Sequence, residues 1–349
     1  MASTIPLSDY RPRTRLEVSH TEIERSRFPV VDAHNHVCFN GQWSSPEADP
    51  LLRVMDDAGV RVLACVDATG PGDPLAVVRD TVRLFKGPHP DRFIVFARPD
   101  WRQLVGGHTL ARRFAECAEA GAQGLKLWKD LGLTLRDGAG DLVRVNDPRL
   151  DHLMAKAGEL GLPVMVHVAD PAAFFDPLDA ANERYEELWA HPDWHFHGPR
   201  FPTFQRVIDD FRDLVLRHPK TTFIGAHVGC YAENLDYVGR MLRECPNYLV
   251  DISARVAELG RQPHTARRFF LEFADRILFG LDCFPPTAGH YRVVYRFLET
   301  EDEYFDYTPD GLEPQGRWKV YGLGLPDEAL AKVYYQNACR ALPGVTVIG

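Results

Sequence analysis

Short apolar runs recur along the chain, each separated from the next by a segment of helical character. Eight stand out: Pro29 to His36, Val60 to Ala68, Arg92 to Pro99, Gln123 to Lys129, Pro163 to Ala169, Thr221 to Val228, Tyr248 to Ala254 and Arg276 to Cys283. Apolar and β-branched runs of this length predict strands, and strands that alternate with helices predict right-handed βαβ units around a parallel sheet. The punctuation agrees. Gly59, Gly121 and Gly161 each end a helical pattern just before a strand, where a glycine cap belongs. Pro90, Pro219 and Pro246 mark three further helix-to-strand joints, because proline cannot continue a helix. Eight such units predict a (β/α)8 TIM barrel rather than an open doubly wound sheet. The barrel is expected over residues 29–349 as one domain, after an N-terminal extension, residues 1–28.

Two connections exceed a simple turn. One runs from Asp170 to about residue 220 and holds a charged helical stretch, Asn182 to Trp189, then an aromatic and histidine-rich segment, His191 to Pro202. The other runs from Phe284 to about residue 325 and is dense in Tyr, Glu and Asp. Both follow predicted strand C-termini, the catalytic face of such a barrel, so both are expected to act as lids or interface elements.

Composition narrows the partners more than the fold. The chain has 349 residues, 45% hydrophobic and 26% charged, with a formal charge of -9. That balance is ordinary for a globular protein and gives no electrostatic basis for binding nucleic acid or an anionic membrane surface. A small molecule is the expected partner, and the exposed aromatic loops suggest a homodimer. The first residues lack the apolar core of a signal peptide, and no stretch approaches the roughly 18 apolar residues of a membrane span. Seven scattered cysteines without a C-x-x-C pair fit reduced thiols, so a cytoplasmic location is expected. Cys38, Cys230 and Cys283 lie beside candidate site residues, where a thiolate ligand would be one use and buried filler the other.

The chemistry gathers at predicted strand ends. His34 and His36 alternate at the end of the first strand and so share a face. His167 ends the fifth strand, His227 the sixth and Asp282 the eighth. Five metal-capable groups at one end of four strands predict a metal site, and nitrogen and oxygen ligands suit Zn, Mn, Fe or Co. Lys126, on the fourth strand with Gly124 and Trp128 on its face, has three readings: a buried ion pair, a contact to an anionic substrate, or a carboxylated bridge to a second metal. Arg98 ends the third strand, and Arg255 and Arg261 follow the seventh. Their guanidinium forks would hold a substrate carboxylate or phosphate, or pair with Glu258 or Asp251. Trp128, Trp194, Phe201 and Tyr231 are candidates for apolar walls.

Asp32-Ala-His-Asn-His36, the single histidines after the fifth and sixth strands, and Gly280-Leu-Asp282 together resemble the amidohydrolase superfamily. In particular they resemble its amidohydrolase-related branch of metal-dependent hydrolases and decarboxylases, over about Pro29 to Arg340. The resemblance implies one divalent metal, expected to be zinc, held by His34, His36, His167 and Asp282. It assigns His227 to orienting water or polarising substrate, and it leaves Lys126 or His227 available to a second metal. Leu281 departs from the threonine many relatives carry before the aspartate.

Three functions follow as expectations. In hydrolysis of an amide, lactone or related bond, metal-activated water attacks while Asp282 carries its proton and His227 stabilises the oxyanion. A metal-dependent decarboxylase or hydratase would use the same site on a carboxylated substrate. A non-catalytic metal-binding barrel is the third, although all five ligand positions are present. Family breadth leans the expectation towards hydrolysis. A sugar-phosphate isomerase lacks support because no glycine-rich phosphate loop stands late in the chain.

Overall fold

In the computed structural model, eight parallel strands form the barrel: β1 Val30–Asn35, β2 Val60–Cys65, β3 Phe93–Ala97, β4 Gly124–Leu127, β5 Val164–Val166, β6 Phe223–Gly225, β7 Tyr248–Asp251 and β8 Ile277–Leu278. They pair in chain order as one sheet. Backbone bonds from Ala33 N to Phe279 O (2.9 Å) and from Asp282 N to His34 O (2.8 Å) join the last strand to the first. The architecture is therefore a (β/α)8 barrel with enlarged loops after β5 and β8. The structure describes residues 5–6, 9–10, 12–39, 42–43, 47–67, 72–104, 107–309 and 315–347. Ala68, residues 310–314 of the second insertion and parts of the N-terminal extension lie outside the described residues.

Strand side chains divide between two apolar layers. Val30, Leu63, Val95, Leu125, Val164, Phe223 and Val250 pack outward against the helices. Val31, Ala33, Val62, Ala64, Ile94, Phe96, Met165 and Ile224 form a second cluster, the inward set expected from a period of two. Gly124 belongs to the inward side because a Cβ there would lie 2.3 Å from the Phe96 ring. Gly59, Gly121 and Gly161 all take positive φ, as the helix-to-strand joints require.

Each long connection proves to contain a barrel helix. Phe204–Arg217 buries Val207, Ile208, Phe211, Leu214 and Val215, so the irregular part after β5 ends at Thr203 rather than near 220. Ala288–Glu299 buries Tyr291, Val294, Tyr295, Phe297 and Leu298, which accounts for part of the tyrosine density after β8. The charged helix begins at Tyr185 rather than Asn182, spanning Tyr185–Ala190. The Asn182 amide instead donates to Ala173 O and Pro177 O, closing a turn as asparagine does. Residues 12–28 carry no helix or strand, but Thr21 ties the segment to Asp302 through its N–H (2.7 Å) and hydroxyl (2.8 Å). Among the described residues no helix is long and apolar enough to cross a membrane.

Candidate metal centre

β1, β6 and β8 deliver the centre. One ring nitrogen each of His34 and His227 and one carboxylate oxygen of Asp282 all lie within 4.8 Å of one another. Asp282 Oδ2 is 3.8 Å from His34 Nε2 and 3.4 Å from His227 Nε2. Two further histidines stand at the margins. His36 Nε2 is 3.1 Å from Asp282 Oδ1, and His167 Nδ1 is 3.3 Å from His227 Nε2. All five predicted groups thus meet at one barrel mouth, with His227 inside the tightest cluster and His36 and His167 beside it.

Backbone geometry aims these groups. Strict alternation from Val31 and Ala33 would send His34 outward, but the β1 register shifts between Asp32 and Asn35. That irregularity turns the strand end, as bulges do, and brings His34 to Asp251, Ser253 and Lys126. After β6 the chain makes a left-handed turn, with φ of 57° at His227, 58° at Val228 and 60° at Cys230. Asp282 sits at φ 54° and Ala254 at 51°. Each such L-residue costs about 1–2 kcal/mol, a strain typical of functional positions. Backbone bonds hold it in place, among them Cys230 N to Ala226 O at 2.8 Å.

A buried carboxylate, Asp251, orients both inner histidines. Its Oδ2 is 2.9 Å from His34 Nδ1; its Oδ1 accepts from His227 N (3.1 Å), Ser253 N (3.0 Å) and the Ser253 hydroxyl (2.5 Å). His227 Nδ1 faces Ser253 O at 2.9 Å. Both rings therefore direct Nε2 to the centre. Burial pushes the Asp251 carboxyl up, yet the adjacent His34 imidazole brings it well below the ordinary range. On the outer side, Asp170 Oδ1 is 3.3 Å from His167 Nε2, and Lys129 pairs with Asp170.

The protonation states suit a cation. Burial, followed by the charge of Lys126, lowers the His34 pKa, and burial drives His227 well below the usual imidazole range and His167 to about 4. These rings are neutral, with lone pairs to donate. Asp282 remains ionised: burial raises its pKa, but His34, His36 and His227 more than offset this. Three neutral imidazoles around an ionised carboxylate fit one divalent cation, while His36, raised to about 9 by Asp282 and Asp67, would have to give up a proton to join them. Among the described residues no cysteine sulfur joins the cluster. Lys126 is fully buried, with Nζ 2.8 Å from His34 Nε2, and burial lowers its pKa to about 8.

Over the centre opens a cavity of about 340 Å³ lined by His36, His167, His227 and Asp282 and by Trp128, Phe174, Trp194 and Phe284. Lys129, Asp170, Glu187, Arg255 and Gln315 complete its polar wall. Both enlarged loops contribute, as their position after β5 and β8 predicted. The Trp128 ring stands edge-on to His167 at 4.8 Å. Arg255 is 4% exposed and donates to Ala254 O at 2.8 Å; it forms no ion pair with a carboxylate among the described residues. The other two predicted arginines are not on this wall. Arg98 donates to Gly72 O at 3.0 Å, and Arg261 pairs with Glu183 at 2.7 Å beneath the Trp318 ring. Phe201 and Tyr231 are also absent from the lining. Reasoning from the sequence missed Asp251, Ser253, Asp170, Lys129 and Glu187 as parts of the site; Asp251 closes β7 and so occupied a strand end, the same signal that exposed the histidines.

Fold and site together define a metal-binding (β/α)8 barrel with its chemistry at the strand C-termini. Residues 31–344 match the family described as Amidohydrolase. The chain belongs to that family. Among curated proteins none matches. Solved structures similar to the chain include 2,6-dihydroxybenzoate decarboxylase from Rhizobium, at 16% identity and TM-score 0.57, covering 90% of this chain and 98% of that one. A dihydroxybenzoic acid decarboxylase from Polaromonas, solved with bound manganese and the inhibitor 2-nitroresorcinol, is 15% identical with TM-score 0.55, covering 84% and 85%. A 4-oxalomesaconate hydratase from Rhodopseudomonas palustris is 15% identical with TM-score 0.52, covering 90% and 95%. At these identities the likeness is one of fold.

Proposed function

We propose that this barrel is a divalent-metal-dependent lyase that removes CO₂ from a planar, carboxylated, single-ring substrate. One observation carries the reading: the buried Arg255 guanidinium, in no direct ion pair among the described residues though Glu187 and Glu233 feel its charge, shares its cavity wall with Trp128, Phe174, Trp194 and Phe284. A guanidinium fork suits a carboxylate, and aromatic walls suit a flat ring. A cavity of about 340 Å³ is within the range of small-molecule sites. The names of the similar structures, two decarboxylases and a hydratase, support the lyase over the hydrolase.

In this reading His34, His227 and Asp282 hold the metal, with His36 and His167 within reach as further ligands. A divalent ion held there would supply Lewis-acid polarisation of a substrate oxygen, drawing charge from the carbon that loses CO₂. Zinc or manganese fits the donor set, and Fe or Co would also. Arg255 holds the carboxylate and the aromatic walls exclude water from the ring. When the C–C bond breaks, CO₂ leaves, the electron pair stays on the ring carbon, and that carbon takes a proton from solvent relayed by the ionised Asp282 on the cavity wall. Lys126 is assigned to the charge of the centre, and a metal content near two ions per chain would instead make it a carboxylated bridge. Seven free cysteines, five of them buried, suit a cytoplasmic setting.

Hydrolysis is the second reading, favoured by the family description. One experiment separates the two. The Mn²⁺- or Zn²⁺-loaded protein is offered a panel of hydroxybenzoates beside a panel of amides and lactones. CO₂ release, with one deuterium at the vacated carbon in D₂O and loss of turnover in His34→Ala, is expected. An inert carboxylate panel with hydrolysis of an amide or lactone would overturn the lyase.

A further inference from the structure

A second depression of about 230 Å³ adjoins the catalytic cavity. The two share Ala254, Asp282 and Gln315 in their walls, so the second begins at the carboxylate that lines the first. Beyond the junction its lining is mainly apolar, with Val256, Ala257, Leu281, Val293, Val294 and Tyr307, and carries His290 and Thr308 as its polar groups. The Tyr307 hydroxyl is occupied elsewhere: it accepts from Gly316 N at 2.9 Å, and the ring stacks on Trp318. Most of this wall offers water no partner, so an apolar group gains by covering it.

We infer that this chamber is a specificity subsite for an apolar substituent, so that the substrate is a carboxylated ring bearing an alkyl or aryl group of several carbons. The inference rests on the carboxylate reading of the first cavity and deepens it. Asp282 at the junction would set the reacting carbon beside the point where the substituent departs. The chamber then discriminates by length: each methylene moved from water into apolar surroundings is worth about fourfold in affinity.

Four probes test this on the metal-loaded, full-length protein by calorimetry: benzoate, 3-butylbenzoate, 4-butylbenzoate and butylbenzene. One of the two butyl acids is expected to bind at least about tenfold tighter than benzoate. Val293→Trp, at a partly exposed helix position, narrows the chamber and should bring that affinity ratio close to one; Ala257→Leu is the second variant should the first fail to fold. The subsite is overturned if benzoate binds while both butyl acids bind no tighter, or if the ratio survives in the variants. Should none of the acids bind, the carboxylate reading falls. The chamber is then judged on butylbenzene: binding to the wild type that disappears in Val293→Trp keeps it, and no binding removes it.

Discussion

Asp251→Asn tests the architecture of the centre with the removal of one charge and almost no change in shape. Asp251 is fully buried. Its Oδ1 accepts three hydrogen bonds, from His227 N, Ser253 N and the Ser253 hydroxyl, while Oδ2 faces only His34 Nδ1, at 2.9 Å. Asparagine offers one acceptor oxygen and one donor amide. Three donors against one keep the oxygen on the Oδ1 side, so the new NH₂ group turns to His34. His34 Nδ1 must then accept, and the ring proton moves to Nε2. That nitrogen is the one directed at Asp282, 3.8 Å away, and a proton on it removes the lone pair a metal would use. Loss of an orienting partner of this kind costs about 10–100-fold in metal affinity, or about 1.4–2.7 kcal/mol. Competition against a fluorescent chelator measures it, with urea unfolding of the metal-free protein as the control for global stability. Ser253→Ala should cost less, because Asp251 keeps its Oδ2 contact to His34. Metal affinity of Asp251→Asn within about twofold of wild type would refute the tautomer argument, since it lies far outside the range expected for a lost orienting contact.

Three other perturbations follow from the same geometry. Burial lowers the His36 pKa, but Asp282 and Asp67 beside it raise the balance to about 9. Protonated His36 therefore stabilises the metal-free fold fully below the ordinary imidazole value, and that contribution fades as pH rises through about 9. If His36 ligates, metal uptake near neutral pH should release about one proton, and affinity should climb towards pH 9; calorimetry in buffers of different ionisation enthalpy reads the proton, and none released would count against His36 as a ligand. Gly229→Ala places a Cβ 2.2 Å from the Tyr248 hydroxyl and should cost about 1–3 kcal/mol in urea unfolding, with Tyr248→Phe recovering part; an unchanged midpoint would mean that the left-handed turn after β6 yields freely. Arg184, fully buried, donates to Glu187 at 2.9 Å and to Glu258. Arg184→Met strands two carboxylates and should cost about 3–5 kcal/mol, partly restored in Arg184→Met/Glu258→Gln; equal stabilities of single and double variants would show that the ion pair carries no stranded charge.

The barrel was readable because its signals are local. Each strand is a short apolar run, and the joints at Gly59, Gly121 and Gly161 are positions that need positive φ. The insertions were harder, since Phe204–Arg217 is amphipathic within a segment whose charges and aromatics suggest a loop; only its buried Val207, Ile208, Phe211, Leu214 and Val215 reveal the period. The five metal-capable side chains were legible for a different reason. A chemically demanding group at a strand end has few structural uses there, and several at the same end reinforce one another.

What stayed hidden depends on contacts between elements. Asp251 closes β7 just as His227 follows β6, but its sequence neighbourhood, with Arg255 four residues on, suggested an ion pair. The carboxylate instead reaches across to His34, 217 positions away, and no spacing rule reports a contact at that range. The same holds for the arginines. Arg98, Arg255 and Arg261 are alike in sequence, each at or after a strand end, yet two are occupied by Gly72 O and Glu183 and only Arg255 stands on the cavity wall, outside any direct ion pair among the described residues. His34 carries the point furthest. Alternation placed it correctly on the face of His36, but for a reason that holds only in part: Val31 and Ala33 occupy the inward layer, and it is the irregularity between Asp32 and Asn35 that turns His34 to join them. A regular β1 would have put the histidine into the helix layer, so the motif functions because its strand departs from the pattern that made it visible.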